Sequence, residues 1–373
     1  MYKTAVFGGS FDPVTKAHID LIEKLAARYD EVIVVPCRVS PFKTSTAATP
    51  DARLEMLGRA IKGLNNVKVD NFELVSEGVN YTYLTLEHLA RPDVRLSLIM
   101  GSEMVIELER WKNLARICEL AGLVVVPRPG FPFGESERTK LDALCPHGWT
   151  EADFIGLAGS SSEVRIAVAM GKPYMFLTPE IAAYVTERGL YGEYTYVNGL
   201  FARFGMKQTR IAHSFSTARC GVTLAKRACV DTGKAITALL LHDVGKYVTK
   251  EQAEAMGVKF DGRIDGMPLP IRHAEIGAEL LRQIVGMTDN EIIAAVRWHT
   301  TGKPAMTPLE KIVYLADYIE PARAFPTVEI IRKATEKSID DGLRAALKNS
   351  VEHVGGEIYP LTVEAYNYYK ENK

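Results

Sequence analysis

The chain has 373 residues, a formal net charge of −1, 47% hydrophobic and 24% charged residues. That length exceeds what one ordinary core needs, so two domains are expected, and the composition is that of a soluble globular protein. The near-zero charge excludes long-range attraction for nucleic acid or a membrane surface.

Five cysteines (Cys37, Cys118, Cys145, Cys220 and Cys229) are odd in number and show no C-x-x-C spacing, so they read as unpaired buried thiols. The opening Met-Tyr-Lys-Thr-Ala-Val reads as a strand and not as a leader, and no apolar run is long enough to span a bilayer. A cytoplasmic location is expected.

Residues 3–8 form a short apolar run ending in glycine, the pattern of a buried parallel strand. Residues 16–28 then place Ile19, Ile22, Leu25 and Ala26 on one helical face. A second strand is expected over 31–36, and Thr49-Pro50 opens a helix in the order cap, then proline. Further strands are expected at 67–70, 95–100 and 122–127, with helices at 81–90 and 111–120. Strands alternating with helices predict a parallel, Rossmann-like α/β sheet with right-handed crossovers.

Residues 128–153, with Pro129, Gly130, Pro132, Gly134, Pro146 and Gly148, read as an irregular excursion. A last strand is expected near 154–157, then helices at 161–170 and 179–188. After Gly189-Leu-Tyr-Gly192 the pattern turns wholly helical: 207–229, 231–241, 271–285, 289–299, 307–319 and 338–369. The expected organisation is an α/β domain over 1–193 and an all-α bundle over 197–373.

Gly8-Gly9-Ser10 lies between a strand and a helix, where glycines let backbone N–H groups approach a phosphate and the helix N-terminus favours an anion. Two glycines alone are equally a tight turn, and the G-x-G-x-x-G spacing of dinucleotide-binding loops is absent. Thr15 and His18 share one face of the following first turn, where an imidazole donor suits a phosphoryl charge. Far downstream, Ser160 and Glu163 have capping-box spacing, Ser161 adds a hydroxyl, and Arg165 is a bidentate phosphate partner.

These stretches resemble the nucleotidyltransferases with a T/H-x-G-H motif, and most closely nicotinate mononucleotide adenylyltransferase. Supporting the likeness are Gly-Gly-Ser-Phe-Asp-Pro from Gly8, Arg53-Leu-Glu-Met-Leu, Tyr81-Thr82, Gly101-Ser102-Glu103, Trp111, Val124-Val-Val-Pro-Arg-Pro-Gly130 and Gly189-Leu-Tyr191. The resemblance implies adenylyl transfer from ATP to nicotinate mononucleotide, with Mg2+ arriving on the ATP. It implies that His18 steadies the α-phosphoryl group and that Thr15, Ser160, Ser161 and Arg165 hold the triphosphate. Gly8, Gly9, Ser10, Phe11, Gly101 and Arg128 fall in the shared nucleotide-binding stretches, and Lys43 matches a phosphate-contacting lysine. Tyr81, Thr82 and Trp111 match the nicotinate pocket, with core packing the other role for the indole. Three departures stand out: Thr15 for the subfamily's histidine, Ala17 for glycine, and Gly159-Ser-Ser-Ser162 for Ile-Ser-Ser-Thr. Thr15 and the serine run also suit pantetheine-phosphate adenylyltransferase, the alternative substrate class.

In the helical half, His213, His242-Asp243, His273, His299 and Asp317 fall in or beside expected helices and can converge on a bundle interior. Imidazole and carboxylate without thiolate suit iron, manganese or zinc, and six ligands allow two ions, with Asp243 able to bridge them. The order of ligands resembles the HD phosphohydrolases, in particular the YqeK-type branch, through Leu241-His-Asp-Val-Gly-Lys246, Arg272-His273-Ala-Glu-Ile-Gly277, His299-Thr-Thr-Gly302 and Leu315-Ala-Asp-Tyr-Ile-Glu-Pro321. That branch implies iron-dependent symmetrical cleavage of diadenosine tetraphosphate, with Asp243 and Lys246 in catalysis and Arg272, Lys246, Lys303 and Arg323 as phosphate contacts. Another nucleotide substrate, or a sensing role for this half, are the alternatives. The oligomeric state is open, a homo-oligomer included.

Overall fold

The structure is a computed structural model that describes residues 2–38, 48–76, 80–129, 131, 133–146, 148–172, 175–352 and 358–371. It divides into two compact units, Met1–Gly192 and Glu193–Lys373.

Six parallel strands build the first unit: β1 (Tyr2–Gly9), β2 (Glu31–Pro36), β3 (Val67–Val69), β4 (Val94–Gly101), β5 (Ala121–Val126) and β6 (Trp149–Glu151). Their order is β3-β2-β1-β4-β5-β6, so the sheet runs outward in both directions from β1. β1 pairs with β2 through Phe7↔Val34 and with β4 through Phe7↔Ile99. The loop after β1 thus leaves the sheet at its switch point, where ligands of open α/β sheets bind. One hydrophobic core contains Val6, Leu98, Val125, Leu108 and Ile117, with Trp111 packed at its margin.

Two expectations for this unit fail. The sixth strand is Trp149–Glu151, aligned Leu123↔Trp149 on β5, and no strand lies at 154–157. Phe154 instead lies under the Arg28 guanidinium, 4.7 Å from its centroid, and Ile155 is exposed. The stretch read as irregular also contains a helix, Glu135–Leu144, because its glycines and prolines flank that element and do not interrupt it. The helix is capped by Glu137, whose Oε2 accepts from the Gly134 amide at 2.8 Å. Thr49 and Pro50 do open the helix Pro50–Ala60 as cap and first residue. The helix expected at 111–120 begins only at Leu114, after a 3-10 stretch Ser102–Arg110 and a left-handed Asn113.

Within the described residues the second unit has no strand. Helices Gln208–Arg227, Thr232–Leu241, Leu269–Glu279, Asn290–Trp298 and Pro308–Ile319 form its centre, and helix Leu269–Glu279 continues as a π-helical turn, Leu280–Val285. The single segment expected at 338–369 is two helices, Ile339–Glu352 and Pro360–Glu371; Pro360 has no N–H to continue a helix and starts a new one. Three helices were not foreseen: Tyr196–Arg203, Lys250–Ala255 and Val328–Lys337. All five cysteines are free. No helix of the described residues is long and apolar enough to cross a membrane.

Candidate active sites

In the first unit, the loop after β1 is held from behind by buried polar groups. Asp12 is 3% exposed, and its Oδ1 accepts from the Tyr191 hydroxyl at 2.9 Å and from the Ala48 amide at 3.0 Å. Burial is the main reason the Tyr191 phenol is pushed far above its usual range, so it stays a donor. Arg53, fully buried, donates to the carbonyls of Ser10 at 2.9 Å and Cys37 at 2.6 Å, joining the loop to the end of β2. Neither Arg53 nor Tyr191 was assigned this role from sequence, although both stand in the quoted family stretches.

His18 sits half-buried in the first turn of helix Lys16–Ala26. Its Nδ1 accepts the Thr15 amide at 3.0 Å, and its own amide donates to Thr15 Oγ1 at 3.3 Å. That cap puts the proton of a neutral His18 on Nε2, the ring nitrogen turned away from the cap. Phe11, itself buried, packs edge-on against the imidazole with centroids 5.1 Å apart. Thr15 is fully buried and its hydroxyl caps the helix, where it orients His18.

The second half of this site arrives with helix Ser161–Ala169. Ser160 caps it reciprocally with Glu163, as the spacing predicted. Ser161 Oγ donates to the Pro13 carbonyl at 2.8 Å. Arg165 is 4% exposed and donates to the Asp12 carbonyl at 2.9 Å and to Ser162 Oγ at 3.0 Å. It therefore fastens the loop from inside.

Two departures from the family pattern meet in space. Gly159 has φ +123°, and a Cβ built there would lie 3.9 Å from the Ala17 methyl and 3.2 Å from Phe176. The positive φ and the Phe176 ring account for glycine at 159, while the Ala17 methyl lies at ordinary contact distance.

Gly101 ends β4. Arg128 is ion-paired with Glu103 and donates to the Gly159 carbonyl at 3.2 Å, linking this edge to the Ser160 helix. Tyr81 and Thr82 open the helix Thr82–Leu89, half-buried. The Trp111 indole N–H is buried with no hydrogen-bond partner among the described residues. Lys43 lies outside the described residues.

In the second unit all six expected ligands converge. Asp243 Oδ1 lies 3.0 Å from His273 Nε2 and 3.6 Å from His299 Nε2. Asp243 Oδ2 lies 3.4 Å from His242 Nε2 and 3.9 Å from His213 Nε2. Asp317 Oδ1 is 2.9 Å from His213 Nε2. Two groups of potential ligand atoms result, one of His213, His242 and Asp243, the other of Asp243, His273 and His299.

Outer hydrogen bonds turn the ring nitrogens inward. His242 Nδ1 pairs with the Leu239 carbonyl at 2.7 Å, and His299 Nδ1 with the Val296 carbonyl at 2.6 Å. In both rings Nε2 is thereby the nitrogen aimed into the cluster. His213 Nδ1 is 3.3 Å from Glu320 Oε1, and Ser216 donates to the same carboxylate at 2.6 Å. Glu320 was not singled out from sequence.

Gly245 makes the convergence possible. A Cβ there would collide with the His273 carbonyl and the Gly277 amide, so only glycine lets helix Leu269–Glu279 approach closely enough to present His273.

The electrostatics suit a cation. Burial alone would raise the Asp243 carboxyl, yet His242, His273 and His299 hold it well below the usual carboxylate range. Burial likewise opposes ionisation of Asp317, and His213 and His242 overcome it. Burial pushes His273 down to about 4, which leaves it neutral and able to act as a ligand near pH 7. Lys246 is lowered mainly by burial; its Nζ lies 3.3 Å from the His273 ring nitrogens. His242 Nε2, fully buried, makes no hydrogen bond among the described residues, which suits a ligand atom for a divalent ion.

The expected phosphate contacts divide. Arg323 is ion-paired with Asp317 and also holds the Asp317 carbonyl at 2.7 Å. Arg272 is spent on the carbonyls of Met267 and Asp265, and Lys303 on Glu310 at 3.1 Å, so neither cation is directed at the cluster. Arg210, not foreseen, donates to Asp243 Oδ2 at 2.8 Å.

Fold and sites together define a nucleotidyltransferase-like α/β unit and an HD-type unit built around a divalent-metal centre. The cytidylyltransferase-like family profile matches residues 6–167, and the HD domain profile matches 210–322. A Mycoplasma pneumoniae protein named "Probable nicotinate-nucleotide adenylyltransferase/Ap4A hydrolase" is 26% identical over 326 residues, covering 85% of this chain and 88% of its own. The Bacillus subtilis "Bis(5'-nucleosyl)-tetraphosphatase, symmetrical" is 33% identical over 168 residues, 44% of this chain and 90% of its own. A Roseiflexus castenholzii "Probable nicotinate-nucleotide adenylyltransferase" is 34% identical over 194 residues, 51% of this chain and 98% of its own. The chain belongs to the nicotinate-nucleotide adenylyltransferase family through its N-terminal half and to the symmetrical tetraphosphatase family of HD-domain proteins through its C-terminal half.

Proposed function

We propose that the N-terminal unit transfers the adenylyl group of ATP to nicotinate mononucleotide, forming deamido-NAD and releasing pyrophosphate. The joining of the Gly8–Pro13 loop to the Ser160 helix by Ser161 and Arg165 carries this reading, because it gathers the glycine loop, His18 and a helix N-terminus into one anion site. The nucleotide's phosphate is already an anionic nucleophile, so the α-phosphorus of ATP is attacked without a general base. The bond to the β-phosphate oxygen breaks and pyrophosphate leaves with its charge on Mg2+ brought by the ATP. His18 donates from Nε2 to the α-phosphoryl oxygens as charge builds there. Gly8, Gly9 and Ser10 and the first-turn amides at Ser161 receive the phosphates, while Tyr81, Thr82 and Trp111 shape the nicotinate side. The names of the relatives favour nicotinate mononucleotide over phosphopantetheine.

The C-terminal unit hydrolyses diadenosine tetraphosphate to two ADP, water adding at a central phosphorus as the middle P–O–P bridge breaks. The two-sided Asp243, with imidazoles at each oxygen, carries this reading. His213, His242, His273, His299, Asp243 and Asp317 would hold two divalent ions, with iron the first choice and manganese or zinc the others. When bound, such ions supply Lewis acidity and acidify the attacking water. Asp243 keeps the two ligand groups in register, Glu320 orients His213, and Lys246 and Arg323 border the cluster where phosphate oxygens would arrive.

Purified protein assayed with nicotinate mononucleotide, nicotinamide mononucleotide, phosphopantetheine and diadenosine tetraphosphate, with iron and with chelator, tests both halves. Preference for phosphopantetheine would overturn the first assignment. Chelator-resistant hydrolysis, or a chain that takes up no metal under anaerobic purification, would overturn the second and leave the sensing role.

A further inference from the structure

Arg210 occupies an unusual place for a cation. It lies on helix Gln208–Arg227 one turn ahead of His213, and its single side-chain hydrogen bond among the described residues goes to Asp243 Oδ2 at 2.8 Å. That oxygen also faces His242 Nε2 at 3.4 Å and His213 Nε2 at 3.9 Å. Any divalent ion held by those three ligands would therefore stand beside the guanidinium. Two cations sharing one carboxylate oxygen repel strongly in so poorly solvated a place.

The two partners differ in freedom to move. The Asp243 side chain is 3% exposed, whereas that of Arg210 is 27% exposed. Arg323 offers the contrast: it holds both the Asp317 carboxylate and the Asp317 carbonyl, which anchors it to the backbone. Arg210 has no such second tether, and a guanidinium has five N–H donors, of which the Asp243 bond uses one. Planar forks of this kind match phosphate oxygens bidentately.

We infer that Arg210 is an exchangeable counter-ion: it holds the bridging carboxylate in place before metal arrives, and turns to the polyphosphate chain of the substrate once a divalent ion takes Asp243 Oδ2. This rests on the metal-dependent hydrolase reading of the same site. It makes binding ordered, metal first and polyphosphate second, because the anion's guanidinium partner is released only by the metal. The half-site of His273, His299 and Asp243 Oδ1 has Lys246 nearby but no arginine on its shared oxygen, so the exchange belongs to the His213 and His242 side.

The test uses the full chain, as wild type, Arg210→Gln, Arg210→Lys and Asp243→Ala. Mn2+ affinity is read by competition with a chromophoric chelator. Affinity for diadenosine tetraphosphate bearing a methylene in place of the central bridging oxygen is read by calorimetry with and without Mn2+. The part of the Mn2+-dependent gain that Asp243→Ala abolishes is assigned to the C-terminal site, because metal-bound polyphosphate can also enter the N-terminal unit. Arg210→Gln should bind Mn2+ more tightly, and should lose about tenfold of the Mn2+-dependent affinity for the analogue, the weight of one charge-assisted hydrogen bond. Arg210→Lys, which keeps the charge, should retain part of that affinity. Weaker Mn2+ binding in Arg210→Gln, or an unchanged Mn2+-dependent gain, overturns the exchange alone. Failure of the wild type to bind either Mn2+ or Fe2+ overturns the parent reading and this one together.

Discussion

Ser161 Oγ donates a 2.8 Å hydrogen bond to the carbonyl of Pro13, across 148 residues of chain. With Arg165 reaching the Asp12 carbonyl beside it, this bond joins the two distant segments of the proposed phosphate site. The parallel sheet is what permits it, because the elements following its strands open toward one edge.

Substitution of His18 by alanine removes the proposed donor while leaving the Thr15 cap oxygen in place. Adenylyl transfer should fall by about 10²–10³ in kcat, as for loss of one transition-state donor. Hydrolysis of diadenosine tetraphosphate by the same preparation should be unaltered. Comparable loss of both activities would refute two independent sites.

Tyr191→Phe deletes the hydroxyl that holds Asp12 Oδ1 and nothing else in that network. A loss of about 1 kcal/mol in stability is expected, because Asp12 Oδ1 loses one buried hydrogen bond and keeps the one from the Ala48 amide. The KM for ATP should rise as the loop loosens, with hydrolysis untouched; steady-state kinetics and thermal melting together check it.

Asp243→Ala removes the one residue common to both ligand groups. Metal content by elemental analysis should drop together with hydrolysis, while adenylyl transfer with Mg2+ continues. Hydrolysis that survives would take Asp243 out of the site.

Gly245→Ala places a methyl against the His273 carbonyl and the Gly277 amide. Overpacking against backbone should cost about 1–3 kcal/mol and displace His273. The expected outcome is a lower melting temperature for the C-terminal unit and reduced metal occupancy, with adenylyl transfer retained. Full metal occupancy would show that the helix can yield without moving its histidine.

Much of this was legible along the chain because local patterns report local physics. The strand-then-glycine run at Gly8, the cap at Ser160 and the proline start at Pro50 are set by neighbouring residues, and the structure shows each. The sixth strand was misplaced because 149–151 is too short to show periodicity and is defined by its partner Leu123. The apolar run at 154–157 imitated a strand, but its residues are used otherwise, Phe154 beneath Arg28 and Ile155 in solvent.

The types of side chain, and the family they mark, were determined by sequence alone, since imidazole, carboxylate and glycine have the same chemistry wherever they lie. Only the tertiary structure decided which charges face a ligand. Arg165 and Arg210 are both arginines on helices near a phosphate-chemistry site, yet one is buried at 4% exposure behind a loop and the other stands half-open beside Asp243. An arginine's partner is chosen by burial and by carbonyls far away in sequence, which no spacing along the chain encodes.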